Sequence, residues 1–398
     1  MYVGVLTHCI ADNFGANLQA LSTAAYLKNK GFIPVFFNWN PYPHNNNSQQ
    51  VKLHETYLSR QGYIVSSPCQ TDADFLNVMS QYNIRNIVVG SDCVLTYKKP
   101  SFPYCISRKG IEKVVVTKDF QFPNPFWLPF ISNEMSVCAC MISGSCGGSD
   151  LNKVSGSVKD EMRNLLNRFD YIGVRDNYTY RALEHILDYN KLSGVKITPD
   201  PVFGLNGNIH DFPTAEEISG KYNLPEHYVI CGFYDTYMPA KKWIRGLISE
   251  LHKNNIALVN LPMPQSSKRV ECDYSIQLPL DTTDWYCLIK YSDGYIGNNM
   301  HPIVVSIHNS VPFYSINHHG KYYVPRYVQA VRNTKIYELL NRFGLLDYHV
   351  AQNLLFTVSP KTVVDKLIHF DRNYCKMCSD TLYNEYFEMM DTVVTKFI

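Results

Sequence analysis

The sequence contains little charge, and the charge it has is evenly spread. Only 18% of its 398 residues are Asp, Glu, Lys or Arg, and the formal net charge is +2. No block of like charge interrupts the chain. Nucleic-acid-binding domains are usually strongly basic along one face, so this balance predicts no nucleic-acid partner. Any anion site in the protein must therefore be local.

Long apolar runs and complete metal motifs are also missing. The apolar run at residues 2–6 is too short for a secretory signal, and no stretch approaches membrane-spanning length. We therefore expect a cytoplasmic protein. Cys375 and Cys378 have the spacing of zinc ligands, but no second Cys or His pair completes a set of four. That pattern favours packing thiols and predicts no metal site.

What the sequence does contain is a repeated alternation of strand-like and helix-like segments. The strand-like runs are residues 2–6, 33–37, 86–89, 136–144, 171–174, 195–203, 228–233, 256–261, 294–297 and 311–316. A stretch rich in Pro and Gly, ending near Pro213, separates the two halves of this series. A chain of this length usually forms two domains, and this order of elements is typical of open parallel α/β sheets.

The pattern therefore predicts two Rossmann-like α/β domains that face each other across a cleft. This arrangement is similar to the two-lobed GT-B glycosyltransferase architecture. We assign residues 1–210 to the N-terminal domain, which would supply the acceptor side and part of the donor site. Residues 211–330 form the C-terminal, donor-side domain, and residues 331–398 are expected to be helices that pack back across both.

The turn after the first strand opens a helix with Asn13-Phe14-Gly15-Ala16-Asn17. A helix N-terminus carries free N–H groups and partial positive charge, so this turn suits a phosphate or carboxylate. The turn is neither a G-x-G-x-x-G motif nor a P-loop. An Asn cap that merely starts the helix explains the same residues equally well.

Five segments, taken together and in order, resemble the polysaccharide pyruvyl transferase family. They are residues 13–21, 87–92, 170–176, 198–202 and 291–312. Members of this family are understood to transfer the enolpyruvyl group of phosphoenolpyruvate to two hydroxyls of one sugar. The products are phosphate and a cyclic pyruvate ketal on a surface polysaccharide precursor.

The resemblance implies the same ketal-forming reaction here, on a capsule or exopolysaccharide precursor. It implies phosphoenolpyruvate as the donor substrate, no cofactor, and a sugar or lipid-linked oligosaccharide as the acceptor. A lipid-linked acceptor would bring the protein to the inner face of the membrane as a peripheral partner. Whether the acceptor is lipid-linked stays open.

The resemblance also implies roles for particular residues. Arg175 matches the family's arginine after a strand, and its guanidinium fork suits a donor anion, although a salt bridge to Asp176 or Asp200 is the alternative. His301 matches the histidine of the family's Arg-Leu-His motif and is a candidate donor-pocket residue and acid. Asp92, in a Gly-Ser-Asp turn, is a candidate base, and a turn-forming role is equally open.

The sequence departs from the family pattern around His301. Asn299 occupies the position where arginine is common, although it remains a candidate donor-binding residue. Lys321, in a loop that also holds His318 and His319, is a candidate replacement for the missing cation. The candidates for lining the cleft or the acceptor site are Asn13, Gly15, Asn17, Gln19 and Ser91.

Two other functions remain open at this stage. The chain could be a nucleotide-sugar glycosyltransferase of similar architecture, although no carboxylate suited to a ribose is evident in the second half. It could also be a catalytically silent family member that only binds glycan, which the departure at Asn299 favours.

Overall fold

The computed structural model describes the chain outside residues 10–12, 42–48, 99–103, 108–109, 114–115, 148, 150, 234–237, 263–269, 318–319, 324–325 and 330–333. For residues 104–107, 110, 112–113, 320–323 and 326–329 only the backbone is described. Two parallel sheets form the centres of two Rossmann-like domains, as the alternation of elements predicts.

The first sheet has seven parallel strands in the order β3-β2-β1-β4-β7-β8-β9. The strands of the first domain, including the short hairpin β5-β6, are β1 (Tyr2–Leu6), β2 (Ile33–Asn38), β3 (Ile64–Pro68), β4 (Asn86–Val89), β5 (Tyr104–Ser107), β6 (Gly110–Lys113), β7 (Cys138–Gly144), β8 (Tyr171–Val174) and β9 (Lys196–Ile197). Its helices are α1 (Phe14–Asn29), α2 (Gln49–Arg60), α3 (Asp72–Tyr82), α4 (Gly156–Asn167), α5 (Asn177–Glu184), α6 (Tyr189–Leu192) and α7 (Leu205–Asn208).

The second sheet has six parallel strands in the order β12-β11-β10-β13-β14-β17. The remaining strands, including the hairpin β15-β16, are β10 (Tyr228–Gly232), β11 (Ala257–Asn260), β12 (Tyr274–Ser275), β13 (Gly294–Gly297), β14 (Phe313–Asn317), β15 (Gly320–Tyr323), β16 (Arg326–Gln329) and β17 (His349–Ala351). The remaining helices are α8 (Ala215–Tyr222), α9 (Lys241–His252), α10 (Thr282–Lys290), α11 (Met300–His308), α12 (Lys335–Arg342), α13 (Pro360–Ile368) and α14 (Arg372–Val394).

Helix α1 lies where the two domains meet. Fourteen of its sixteen residues are buried, because it packs against α2 of its own domain, against α10 of the second domain and against the 3-10 turn Pro201–Gly204. At its first residue, Phe14 stacks on Trp285 of α10 with ring centroids 5.2 Å apart. The N-terminus of α1 is therefore part of the boundary between the domains.

The C-terminal segment both bridges the domains and completes the second one. Helix α14 returns to the first domain, where the Tyr26 hydroxyl donates to Asp391 Oδ1 at 2.5 Å and the Ile398 amide donates to Asn86 Oδ1 at 2.9 Å. This bridging was expected. The expectation of helices alone after residue 330 missed β17, which pairs with β14 at the edge of the second sheet.

No helix among the described residues is both long and apolar enough to cross a membrane.

Candidate active site

The predicted site residues lie just beyond the carboxyl ends of four parallel strands. In the first sheet, β1 leads to Asn13, β4 leads to Asp92 and β8 leads to Arg175. In the second sheet, β13 leads to Asn299 and, at the start of α11, to His301. Ligands of open α/β domains bind at this edge, so these positions define the candidate site.

Arg175 is buried between two carboxylates. Its Nη2 lies 2.8 Å from Asp92 Oδ1 and its Nη1 lies 2.9 Å from Asp200 Oδ2, while only 4% of the side chain is exposed. Burial disfavours the charge, but the two carboxylates outweigh it and raise the pKa of Arg175. The salt bridge to Asp200 was expected as an alternative to ligand binding. Asp176 instead caps α5, where its Oδ1 accepts from the Thr179 amide at 2.7 Å.

His301 reaches the same carboxylate from the second domain. Its Nε2 lies 3.9 Å from Asp200 Oδ2, which is the oxygen that Arg175 contacts. The imidazole ring lies directly over Gly15, where an added Cβ would be only 2.0 Å from His301 Cγ. Burial lowers the pKa of His301, so the ring is neutral near pH 7 in the free protein.

Asp92 is held as a fixed negative charge. Its backbone has φ of 76°, and its Oδ1 lies 2.8 Å from Arg175 Nη2 and 3.4 Å from Lys335 Nζ. Although burial opposes ionisation, Lys335 and Arg175 hold the pKa of Asp92 well below its usual value. A general base works best when its pKa is near the working pH. The contacts therefore favour an electrostatic role, and catalysis by Asp92 as a base stays a prediction.

Lys335 is a cation that the sequence interpretation missed. It is the first residue of α12, and its Nζ also lies 3.0 Å from Cys93 Sγ. The proposed replacement, Lys321, lies in β15, and its side chain is outside those the structure describes, as are His318 and His319. Nothing in the spacing of the sequence connects residue 335 to the turn after β4, because only the packing of α12 brings them together.

The first turn of α1 is capped by the chain itself. Asn13 Oδ1 accepts from the amides of Gly15 and Ala16 at 3.0 and 3.4 Å, so the structure favours the capping interpretation of this turn. Asn17 Nδ2 lies 2.6 Å from His54 Nδ1, and Gln19 Nε2 donates to Asp200 Oδ2 at 2.5 Å. The first contact fixes α1 against α2, and the second holds the carboxylate that Arg175 contacts.

Several predicted site residues bury a polar atom that has no hydrogen-bond partner. In the described part of the chain there are eleven such side-chain atoms, and six belong to predicted site residues: Asn17 Oδ1, Gln19 Oε1, Ser91 Oγ, Arg175 Nε, Asn299 Nδ2 and His301 Nε2. Buried polar atoms in native proteins nearly always have partners. Their concentration at these residues makes this place the candidate for binding a polar ligand.

We call Asp92, Arg175, Asp200, His301 and Lys335 the charge cluster. It combines two cations, two carboxylates and one neutral imidazole, so it can hold an anion and move a proton within a few ångströms. Among the residues that the structure describes, no three His, Cys, Asp or Glu side chains are grouped so as to hold a metal ion.

A cleft of about 810 Å³ opens between α5 and α12. Both helices begin at the cluster, α5 two residues after Arg175 and α12 at Lys335 itself. The cleft is lined mainly by amide, phenol and basic side chains: Asn152, Asn177, Tyr178, Arg181, His185, Tyr337, Glu338, Asn341 and Arg342.

Solved structures with the same fold extend over almost the whole chain. The UDP-GlcNAc 2-epimerase from Neisseria meningitidis, bound to UDP-GlcNAc, is 10% identical with a TM-score of 0.58, covering 99% of each chain. UGT89C1 from Arabidopsis thaliana, complexed with quercetin, is 8% identical with a TM-score of 0.54, covering 100% of this chain and 99% of that one. At such low identity these likenesses show the fold alone, which is the expected GT-B-like pair of domains.

Sequence comparison supplies the family. No curated protein matches the chain in sequence. A family model described as polysaccharide pyruvyl transferase, however, matches residues 13–320. The match extends from the capped turn of α1 to the start of β15 and includes every member of the charge cluster except Lys335. The chain therefore belongs to the polysaccharide pyruvyl transferase family.

Proposed function

We propose that this protein transfers the enolpyruvyl group of phosphoenolpyruvate to two hydroxyls of a sugar in a polysaccharide precursor, forming a cyclic pyruvate ketal. Family membership supports the transferase class. The observation that carries the proposal is the meeting of Arg175 and His301, from opposite domains, at one oxygen of Asp200. The buried polar atoms without partners around them support this point as the binding place of a polar substrate.

The reaction has two steps, an addition and a displacement. In the first, a sugar hydroxyl adds to C2 of the donor and gives its proton to a base, while an acid gives a proton to the C3 methylene, which becomes a methyl group. In the second, another hydroxyl of the same sugar displaces phosphate from C2 and closes the ketal, and its proton leaves with the phosphate or the solvent. The donor's phosphate and carboxylate require cations, and the proton transfers require an acid and a base.

His301 is the group in the cluster that can supply the proton to C3. Its imidazole is neutral in the free protein because burial lowers its pKa. The negative charge of a bound donor raises the pKa of a neighbouring imidazole. Donor binding then draws a proton onto His301, and the imidazolium that forms is the acid of the first step.

This proposal predicts proton uptake when the donor binds. Titration calorimetry of phosphoenolpyruvate near pH 7.5, in two buffers with different ionisation enthalpies, measures the number of protons taken up. The wild type should take up a substantial fraction of one proton, and His301→Gln should take up far less. Equal heats in the two buffers for the wild type would contradict the role of His301.

We place the acceptor sugar in the cleft between α5 and α12. Sugar hydroxyls are recognised by amide, hydroxyl and charged groups of the kind that line it. Replacing Asn341, on the α12 side, by Ala should raise the KM for the acceptor about fivefold, because one neutral hydrogen bond contributes about 1 kcal/mol. The affinity for phosphoenolpyruvate should not change. A change in donor affinity alone would place the acceptor elsewhere.

The reaction itself is tested by phosphate release from phosphoenolpyruvate in the presence of a galactose-containing glycan, with mass spectrometry of the glycan. The wild type should release phosphate and add one pyruvate ketal, and His301→Gln should be slower by about a hundredfold or more. A wild type that binds a nucleotide sugar and not phosphoenolpyruvate would replace this proposal with glycosyl transfer.

A further inference from the structure

We propose that Lys335 is a donor-binding residue whose ammonium pairs with the phosphate of phosphoenolpyruvate. This inference rests on the proposed function and adds a residue to it. Lys335 lies outside residues 13–320, which the family model matches, and belongs to the C-terminal segment. The segment that bridges the two domains would thus also complete the anion site.

The first argument is that Lys335 lacks a strong partner. Asp92 Oδ1 already accepts from Arg175 at 2.8 Å, and the same oxygen is 3.4 Å from Lys335 Nζ. The other contact, Cys93 Sγ at 3.0 Å, is to a thiol, which is a weak acceptor. An ammonium has three N–H donors, so an anion would gain full use of a cation that the protein leaves only partly satisfied.

The second argument is that Lys335 does not stabilise its own helix. It is the first residue of α12, where a positive charge opposes the helix macrodipole. Thr334 caps the helix by accepting from the Tyr337 amide at 3.2 Å, and Glu338 supplies the acidic residue that favours the first turn. The lysine at this position therefore serves the neighbouring site and not α12.

The third argument concerns charge and shape. Burial and Arg175 lower the pKa of Lys335, but Cys93 and Asp92 outweigh them and raise it, so the ammonium remains charged. Its side chain is 24% exposed, which leaves it accessible to a ligand. Both Nη atoms of Arg175 already hold carboxylates. Lys335 is the less engaged cation, and a compact ammonium suits a phosphate as a point charge.

The experiment is calorimetric titration of phosphoenolpyruvate, and separately of inorganic phosphate, into the wild type and three variants. Lys335→Met removes the charge and keeps the length of the side chain, and Lys335→Arg keeps the charge. The matched control is Lys376→Met on α14, where the exposed lysine pairs with nearby Asp380 at 2.9 Å. The thermal midpoint of each variant is measured alongside.

We expect Lys335→Met to weaken both ligands by about tenfold to more than a hundredfold, which is the range for a charge-assisted hydrogen bond. Lys335→Arg should retain most of the affinity, and Lys376→Met should match the wild type. The thermal midpoint of Lys335→Met should change little, because α12 loses an unfavourable charge while Asp92 loses the more distant of its two cations.

Two results would overturn the inference. Donor affinity within twofold of the wild type in Lys335→Met would show that the ammonium does not bind the donor. A fall in thermal midpoint with unchanged affinity would show that Lys335 only neutralises Asp92. The phosphate titration separates this inference from the proposed function: a wild type that binds phosphate through Lys335 but not phosphoenolpyruvate would refute the function and keep the anion site.

Discussion

Replacing Arg175 by Met should destabilise the protein strongly, because two buried carboxylates would lose their shared cation. Removing one partner of a buried ion pair costs about 3–5 kcal/mol. Here both carboxylates keep other contacts: Asp92 with Lys335 at 3.4 Å, and Asp200 with the Gln19 amide at 2.5 Å and the Val202 amide at 3.1 Å. We therefore expect a loss at the low end, about 3 kcal/mol. For a domain of this size that corresponds to a fall in thermal midpoint of about 6–12 °C.

The test is thermal and urea unfolding of Arg175→Met, of Asp92→Asn, and of the double variant. Since the cost comes from an uncompensated charge, the double variant should be more stable than Arg175→Met alone. A loss below about 1 kcal/mol in Arg175→Met, or a double variant less stable than that single one, would refute the reasoning. Donor affinity is better measured in Arg175→Lys, which keeps the charge but loses the two-pronged contact.

Three further predictions concern the glycine beside His301, two buried histidines and the need for a metal. Gly15→Ala forces the His301 ring to move, since the new Cβ would lie 2.0 Å from that ring. This variant should lower the rate of phosphate release by about a hundredfold. Gly220→Ala, where an added Cβ meets nothing within 4 Å, should have no effect on that rate. Burial lowers the pKa of His54 to about 4 and that of His308 to about 3. Since both histidines are buried as neutral rings, the free energy of unfolding should be at its full value above pH 6.5. Below pH 6.5 it should fall by about 1.4 kcal/mol per pH unit for each histidine. Equal stability in urea at pH 7 and pH 5.5 would contradict this prediction. Activity should survive chelation, and a loss that zinc or magnesium restores would show that a metal, not the charge cluster, stabilises the transition state.

The arrangement of strands and helices could be predicted wherever the apolar pattern is strong. The buried strands β1 and β4 and the helix after β1 lie where the alternation places them. The edge strands β3 and β17 were missed because they are short or partly polar and are defined by pairing with a neighbour. The strand expected across residues 195–203 contains only Lys196–Ile197, because prolines interrupt the ladder and Pro201–Gly204 turns into a 3-10 helix.

The candidate site could be predicted one strand end at a time but not as an assembly. The sequence indicates that Arg175 and His301 follow strands, and the structure adds that both approach Asp200. Lys335 could not be found, because its place beside Asp92 depends on how α12 packs. Gly15 was predicted to line the cleft as part of a turn suited to an anion. Its missing side chain leaves room for His301, and a sequence cannot show which group occupies the space beside a glycine.

The charges of the cluster impose a condition on how the donor enters. Arg175 and Lys335 are balanced by Asp92 and Asp200, and His301 is neutral, so the empty site carries no net charge. A donor brings the negative charges of a phosphate and a carboxylate into a buried place, where the Asp200 side chain is only 2% exposed. Buried negative charge that no cation compensates is costly. The donor must therefore draw the cations away from the carboxylates, bring in a proton, or both. Lys335 is held less tightly than Arg175, so it can turn toward the donor. His301 is the group that can take up a proton when the donor arrives. If the proposed function holds, the burial that keeps this imidazole neutral before the donor binds would couple donor binding to the arrival of the proton that C3 requires.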